Sequence, residues 1–161
     1  MRFRTRTELV KNAGGKTMTH EDRGHYARKH SPDRKARPEI AEAVKNKASN
    51  GKISCAAAHK IARDLDVSPA EVGFTVDILE IRIVKCQLGL HGYYPKKRIV
   101  EPVETVSEKL KEAVRKSLLE GKLTCASAWK IAKSLEMTKM EVSSACEALK
   151  IKISSCQLGA F

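Results

Sequence analysis

Apolar residues recur at four-residue spacing from Ile40 through Val44 to Ala48, and again from Leu110 through Val114 to Leu118. That spacing lines one face of a helix, so both stretches are predicted to be amphipathic helices. Pro38 suits the first turn of the first helix. Thr105-Val-Ser-Glu108 has the form of a capping box for the second. Gly51 and Gly121 follow, where a left-handed C-terminal cap is expected. Next come short apolar elements, Lys52-Ile53-Ser54 and Lys122-Leu123-Thr124. Ser54 and Thr124 can cap second helices at roughly 55–65 and 125–135. Ala58, Ile61, Ala62 and Leu65 form the core face of one, Ala128, Ile131, Ala132 and Leu135 that of the other. Ser68-Pro-Ala-Glu71 and Thr138-Lys-Met-Glu141 are capping boxes that start third helices at about 69–80 and 139–150. Val72, Val76 and Leu79 face the core in the first; Val142, Cys146 and Leu149 are their counterparts. Ile81–Cys86 and Ile151–Cys156 alternate like strands.

These paired features are one pattern used twice. Gly51–Gly89 superposes on Gly121–Gly159 without a gap, and 18 of 39 positions are identical. Self-similarity at a fixed 70-residue offset means one supersecondary unit in two copies, too few for a solenoid. The expected organisation is a basic flexible arm at 1–37, a first module at 38–94, a basic linker at 95–101 and a second module at 102–161. Met18-Thr-His-Glu has the look of a natural start, which would make residues 1–17 an upstream extension.

The helix-turn-helix stretches are Lys60-Ile-Ala-Arg-Asp-Leu-Asp-Val-Ser-Pro-Ala-Glu-Val72 and Lys130-Ile-Ala-Lys-Ser-Leu-Glu-Met-Thr-Lys-Met-Glu-Val142. Small Ala62 and Ala132 permit close helix crossing, and Leu65 and Val67 plug the turn. The order of elements resembles tandem winged-helix-type helix-turn-helix domains over about two-thirds of the chain. Two features depart from that pattern. Asp66 and Glu136 stand where the turn glycine usually does, and Phe161 ends the second copy too soon for a full wing. The resemblance implies a mainly α fold with short β elements. It also implies DNA binding and transcriptional regulation, with the third helix in the major groove.

Charge adds a second line. The chain of 161 residues carries a net charge of +12 and a pI of about 9.6, which favours polyanions. The excess is uneven: +7 on residues 1–37, zero on 38–94, +2 on 95–101 and +3 on 102–161. Phosphate contacts are therefore expected from Arg28, Lys29, Arg34, Lys35, Lys96, Lys97 and Arg98, with Lys139 and Ser143 on the second module's third helix. DNA is the expected partner and RNA a possible one. The exposed positions expected on the first module's third helix are Pro69, Ala70, Gly73, Phe74, Asp77 and Glu80, an apolar and acidic set poorly suited to DNA. Ala70, Phe74 and Asp77 thus support the alternative, an adaptor that contacts protein or self-associates through its third helices.

Catalytic and cofactor chemistry find no foothold. There is no nucleophile–base pairing, phosphate-cradling glycine loop or carboxylate dyad, so an enzyme is not expected, nor a cofactor. The five cysteines lack any C-x-x-C spacing. Buried, reduced thiols are the expected state, ahead of a redox pair or a zinc site. Cys55 and Cys125 would begin helices, where the dipole lowers a thiol pKa. His59 and His91 could join Cys55 and Cys86, but the second copy has Trp129 and Phe161 at those places, so no metal is expected. His20, His25 and His30, five apart, share no helix face. No apolar run is long enough to span a bilayer and no secretory signal is evident, so no membrane partner and a cytoplasmic location are expected.

Overall fold

The computed structural model describes residues 24–161. The first part of the expected arm, including Met18, His20 and Arg23, lies outside the described residues. The described chain is mainly helical with a few short strands. In the first repeat α1 is Pro38–Lys47, β1 Lys52–Ser54, α2 Cys55–Asp64, α3 Pro69–Ile78 and β2 Arg82–Val84. In the second, α4 is Glu108–Lys116, β3 Leu123–Thr124, α5 Cys125–Ser134, α6 Lys139–Ala148 and β4 Ile153–Ser154.

The capping chemistry explains most boundaries. The Ser54, Ser68, Thr124 and Thr138 side chains each accept from the backbone N–H three residues on, which satisfies a donor the helix leaves open. Only Thr138–Glu141 closes a full capping box; Glu71 instead binds Arg34. The cap of α4 is Ser107 rather than Thr105, because Ser107 Oγ lies in reach of Leu110 N. Gly51 and Gly121 do not cap helices. Asn50 and Gly51 both have positive φ between the bridged Ser49 and Lys52, a tight turn that leads into β1. Asp66 and Glu136 adopt the left-handed conformation that a glycine would take more easily.

The strand pairing corrects the winged-helix expectation. β1 pairs with β2 in parallel, Ile53 opposite Ile83, and β3 pairs with β4 in parallel, Leu123 opposite Ile153. A wing is an antiparallel hairpin after the third helix. Here each short strand after the third helix returns to the strand before the second, with two helices as the crossover. No wing hairpin occurs among the described residues.

Two hydrophobic clusters hold the molecule, and each borrows from the other repeat. The first contains Ile40, Val44, Ile53, Ala58, Ile61, Val72 and Val76, together with Leu158 and Ala160 from the far end of the chain. The second contains Leu110, Val114, Leu123, Ala128, Ile131 and Val142, together with Cys86 and Leu88 from the first repeat. The Cys-Gln-Leu-Gly segments are thus reciprocal hooks. Each closes a loop on itself, Cys86 N donating to His91 O and Cys156 N to Phe161 O. Each then seats its leucine in the opposite core.

Equivalent residues also touch one another. His59 lies against Trp129, with ring centroids 4.2 Å apart, and His91 meets Phe161 edge-on at 5.7 Å. A residue that contacts its own equivalent is the mark of an isologous, two-fold interface. The chain therefore packs as a dimer of repeats fused into one polypeptide.

Candidate functional site

The outward face of α3 is closed by the chain's own N-terminal segment. Residues Tyr26–Lys29 form a 3-10 turn whose Tyr26 and Ala27 N–H groups both donate to the Glu80 carboxylate. Lys29 Nζ reaches Asp77 at 2.9 Å and Gly159 O at 2.8 Å, with side chains 2 % and 1 % exposed for the ion pair. His30 Nε2 lies 2.7 Å from the same carboxylate oxygen, and its ring meets Phe74 edge-on. The Arg34 guanidinium sits 3.7 Å from the Phe74 ring centroid and binds Glu71. Phe74 is consequently only 2 % exposed.

This geometry corrects the premise of the adaptor surface. Phe74 and Asp77 are covered, and of the three residues assigned to that face only Ala70 is exposed. It also corrects the expectation of a flexible arm over residues 24–37, which dock on α3. Lys29 and Arg34, expected on phosphates, are instead committed to carboxylates within the chain.

The linker and the residues just after it cross the outside of α6 with solvent-exposed contacts. Arg98 binds Glu147, and Val103 N donates to Ser144 O. Ile99 N donates to Gly89 O, so the linker reaches one exchanged end as Lys29 reaches the other. Lys96 lies 4.0 Å from Glu101 on the surface. Ser143 is fully buried, its Oγ without a hydrogen-bond partner among the described residues, so it cannot meet a base edge in this conformation. Arg28, Lys35 and Lys97 are exposed.

Lys139 lies elsewhere, at the start of α6, where it takes part in a basic corner. Its ammonium stands 4.2 Å from the Trp129 ring centroid and donates to Gln87 Oε1 at 3.2 Å. His59 covers the same indole, so Trp129 is a packing residue with His59 and the ammonium for neighbours. Lys130 and Lys133 project from α5 beside it and, with Trp129 and Lys139, line one cleft. Arg63, on α2, is close enough to act electrically on His59. Burial first, then the charges of Arg63 and Lys139, push the His59 imidazole down to about 4. It is therefore neutral at pH 7. Sequence reasoning missed Arg63, Lys130 and Lys133 as a group. Their i, i+3 spacing on α5 was legible, but the approach of α2 was not.

Four of the five thiols are buried, and Cys156 is half-buried. Burial pushes Cys55 up to about 12 and Cys125 and Cys146 up to about 11, and raises Cys86 as well. The helix-start effect expected for Cys55 and Cys125 is thus overridden by desolvation, and a thiolate is disfavoured. Gln87 and Gln157 side-chain amides approach Cys55 and Cys125 Sγ at 3.7 and 3.5 Å. Among the described residues no group of three His, Cys, Asp or Glu is placed to hold a metal ion. No helix among them is long and apolar enough to cross a membrane.

Comparison with family models, curated proteins and solved structures returns no match for this chain.

Proposed function

We propose that this chain is a nucleic-acid-binding protein that contacts phosphates through the basic corner between its repeats. In this reading α2–α3 and α5–α6 act as two helix-turn-helix units, with parallel strand pairs where wings would stand. The observation that carries it is the meeting of Arg63, Lys130, Lys133 and Lys139 around the His59–Trp129 contact. None of the four forms an ion pair with a described carboxylate. Cations left unpaired at one place focus a positive potential, which is what a polyanion senses first. The covered faces of α3 and α6 argue that backbone contact, rather than base reading, dominates in this conformation. The expected complex is with duplex DNA, with RNA as the related polyanion, and with little sequence preference.

The test is fluorescence anisotropy of a labelled duplex at two salt concentrations. Affinity should fall steeply with salt, by a log–log slope near −0.9 per phosphate neutralised. The double variant Lys130→Glu/Lys133→Glu should flatten that slope, whereas Lys35→Glu should change it less. A slope and affinity indifferent to the double variant would remove the corner from any nucleic-acid role.

A further inference from the structure

An open cleft of about 880 Å³ runs along the basic corner, within the size range of small-molecule sites. Its wall is apolar where Trp129, Met137 and Met140 meet. Its rim carries the ammonium groups of Lys130, Lys133 and Lys139, and among the described residues no carboxylate lines it. Gln87 and Gln157, one from each exchanged hook, contribute uncharged hydrogen-bonding groups. The first turn of α6 also begins here at Thr138, but its capping box with Glu141 already satisfies that helix start, so the lysines supply the positive charge.

The repeat gives an internal control on what is special about this place. The positions of Trp129, Met137, Lys139 and Met140 are occupied in the first repeat by His59, Val67, Pro69 and Ala70. Each difference makes the second copy larger or softer or adds a cation. Methionine adapts its shape to an apolar guest, which valine and alanine cannot do. Trp129 and Met137 also pack on the second core, but Lys139 and Met140 have no such place in the cores.

We propose that the cleft binds a small organic anion. Its apolar body lies against Met137, Met140 and the edge of Trp129, and its carboxylate, sulfonate or phosphate group faces Lys139 and Lys133. The occupant is an anion because three cations and, among the described residues, no carboxylate line the cleft. It is partly apolar because the wall beneath them is. The cleft shares its lysines with the nucleic-acid surface proposed above but does not rest on that reading. The assay below contains no nucleic acid, so either idea can fail alone.

Trp129 is the sole tryptophan of the chain, which makes the test specific to this place. The probe is 8-anilinonaphthalene-1-sulfonate, with N-phenyl-1-naphthylamine as its uncharged analogue, added to the full chain. The sulfonate should bind saturably at one site and quench Trp129 emission by energy transfer. Lys139→Met should weaken it about tenfold, the worth of one charge-assisted hydrogen bond. Lys35→Met should leave it unchanged, and the uncharged analogue should bind more weakly. Because Lys139 and Lys133 lie at the rim, circular dichroism should show both methionine variants folded. The His59 imidazole, followed by NMR, should titrate higher with the sulfonate bound, since the anion offsets the field of Lys139. Three results would overturn the proposal: non-saturable binding, equal binding of the uncharged analogue, or affinity indifferent to both Lys139→Met and Lys133→Met.

Discussion

α3 and α6 occupy equivalent places in the two repeats, yet they are held from outside in different ways. α3 is apolar on nearly every side: Val72 and Val76 face its own core, while Phe74 faces the N-terminal segment. That segment is fixed by a buried charge pair, Lys29 with Asp77, and His30 shares the carboxylate. α6 keeps a more polar outer surface with Ser144 and Glu147, and residues 98–103 cross it with one backbone hydrogen bond, Val103 N to Ser144 O, and the surface pair Arg98–Glu147. Duplication preserved the cores and the exchanged hooks. It let the covering segments diverge, one toward a buried lock and the other toward a solvated strap. A core cannot change one side without its partner, whereas a covering strand has many ways to stay down.

The difference predicts unequal losses when each cover is disturbed, and this is the largest effect expected. Lys29→Met removes the buried ammonium from the Asp77 carboxylate, which keeps its contact with His30, and should cost about 3 kcal/mol, the low end for a broken buried pair. Arg98→Met removes a pair whose partners are half in water and should cost no more than about 1 kcal/mol. Urea denaturation of the two variants checks the contrast. Equal losses would mean that the N-terminal segment is held chiefly by Phe74 packing and the Glu80 contacts, and not by the charge pair.

A second asymmetry lies next to Phe74 and Ser144 on the same helices. Gly73 lets the Leu158 carbonyl oxygen pass so close that an added Cβ would stand 1.9 Å from it. The equivalent position in α6 is Ser143, whose hydroxyl fits but finds no hydrogen-bond partner. Gly73→Ser should therefore push the C-terminal hook off α3 and cost about 3 kcal/mol, at the upper end of overpacking. Ser143→Ala removes a buried hydroxyl that nothing satisfies and should stabilise by up to about 1 kcal/mol. Thermal melts of both variants decide the matter. A harmless Gly73→Ser would show that the Leu158 hook can dock in a shifted position.

Much of the local structure was legible because it is decided locally. The side-chain oxygens of Ser54, Ser68, Thr124 and Thr138 start helices within reach of their own backbone, and the apolar spacing fixes which faces turn inward. The repeat was legible for the same reason, residue by residue. Strand direction was not, since alternation in Ile81–Cys86 encodes a strand but not its partner. The hooks were visible as a repeated Cys-Gln-Leu-Gly, but nothing in four residues says that Leu88 and Leu158 change places between cores. The cover over Phe74 had a signal that was read the wrong way. A helix apolar all round is a buried helix, and Val72, Phe74, Val76 and Ile78 leave no polar side wide enough for solvent. The arm that supplies the cover was read from its charge, and charge does not say that Lys29 will meet an aspartate at position 77.

The smallest expected effect concerns the point where the repeats touch as equals, His59 against Trp129. Only one of the two can titrate, so the contact should respond to pH from one side alone. In the unfolded chain the imidazole takes up its proton near 6.5, whereas in the fold burial and the charges of Arg63 and Lys139 hold it down to about 4. A depressed histidine favours the folded state's neutral form. Above pH 6.5 both states are neutral there and His59 contributes no pH dependence. As pH falls from about 6.5 toward 4, the unfolded chain binds a proton that the folded chain refuses, and stability declines. Exposed carboxylates held low by hydrogen bonds, such as Glu141 and Asp64, act in the same direction but at lower pH. His59→Phe keeps an aromatic partner for Trp129 and removes the proton site. Its denaturation midpoint should match the parent's pH trend above pH 7 and run flatter between pH 6.5 and 5. Parallel curves across that window would mean that His59 is protonated in the folded chain, and that the positive field assigned to the corner between the repeats is weaker than its four cations imply.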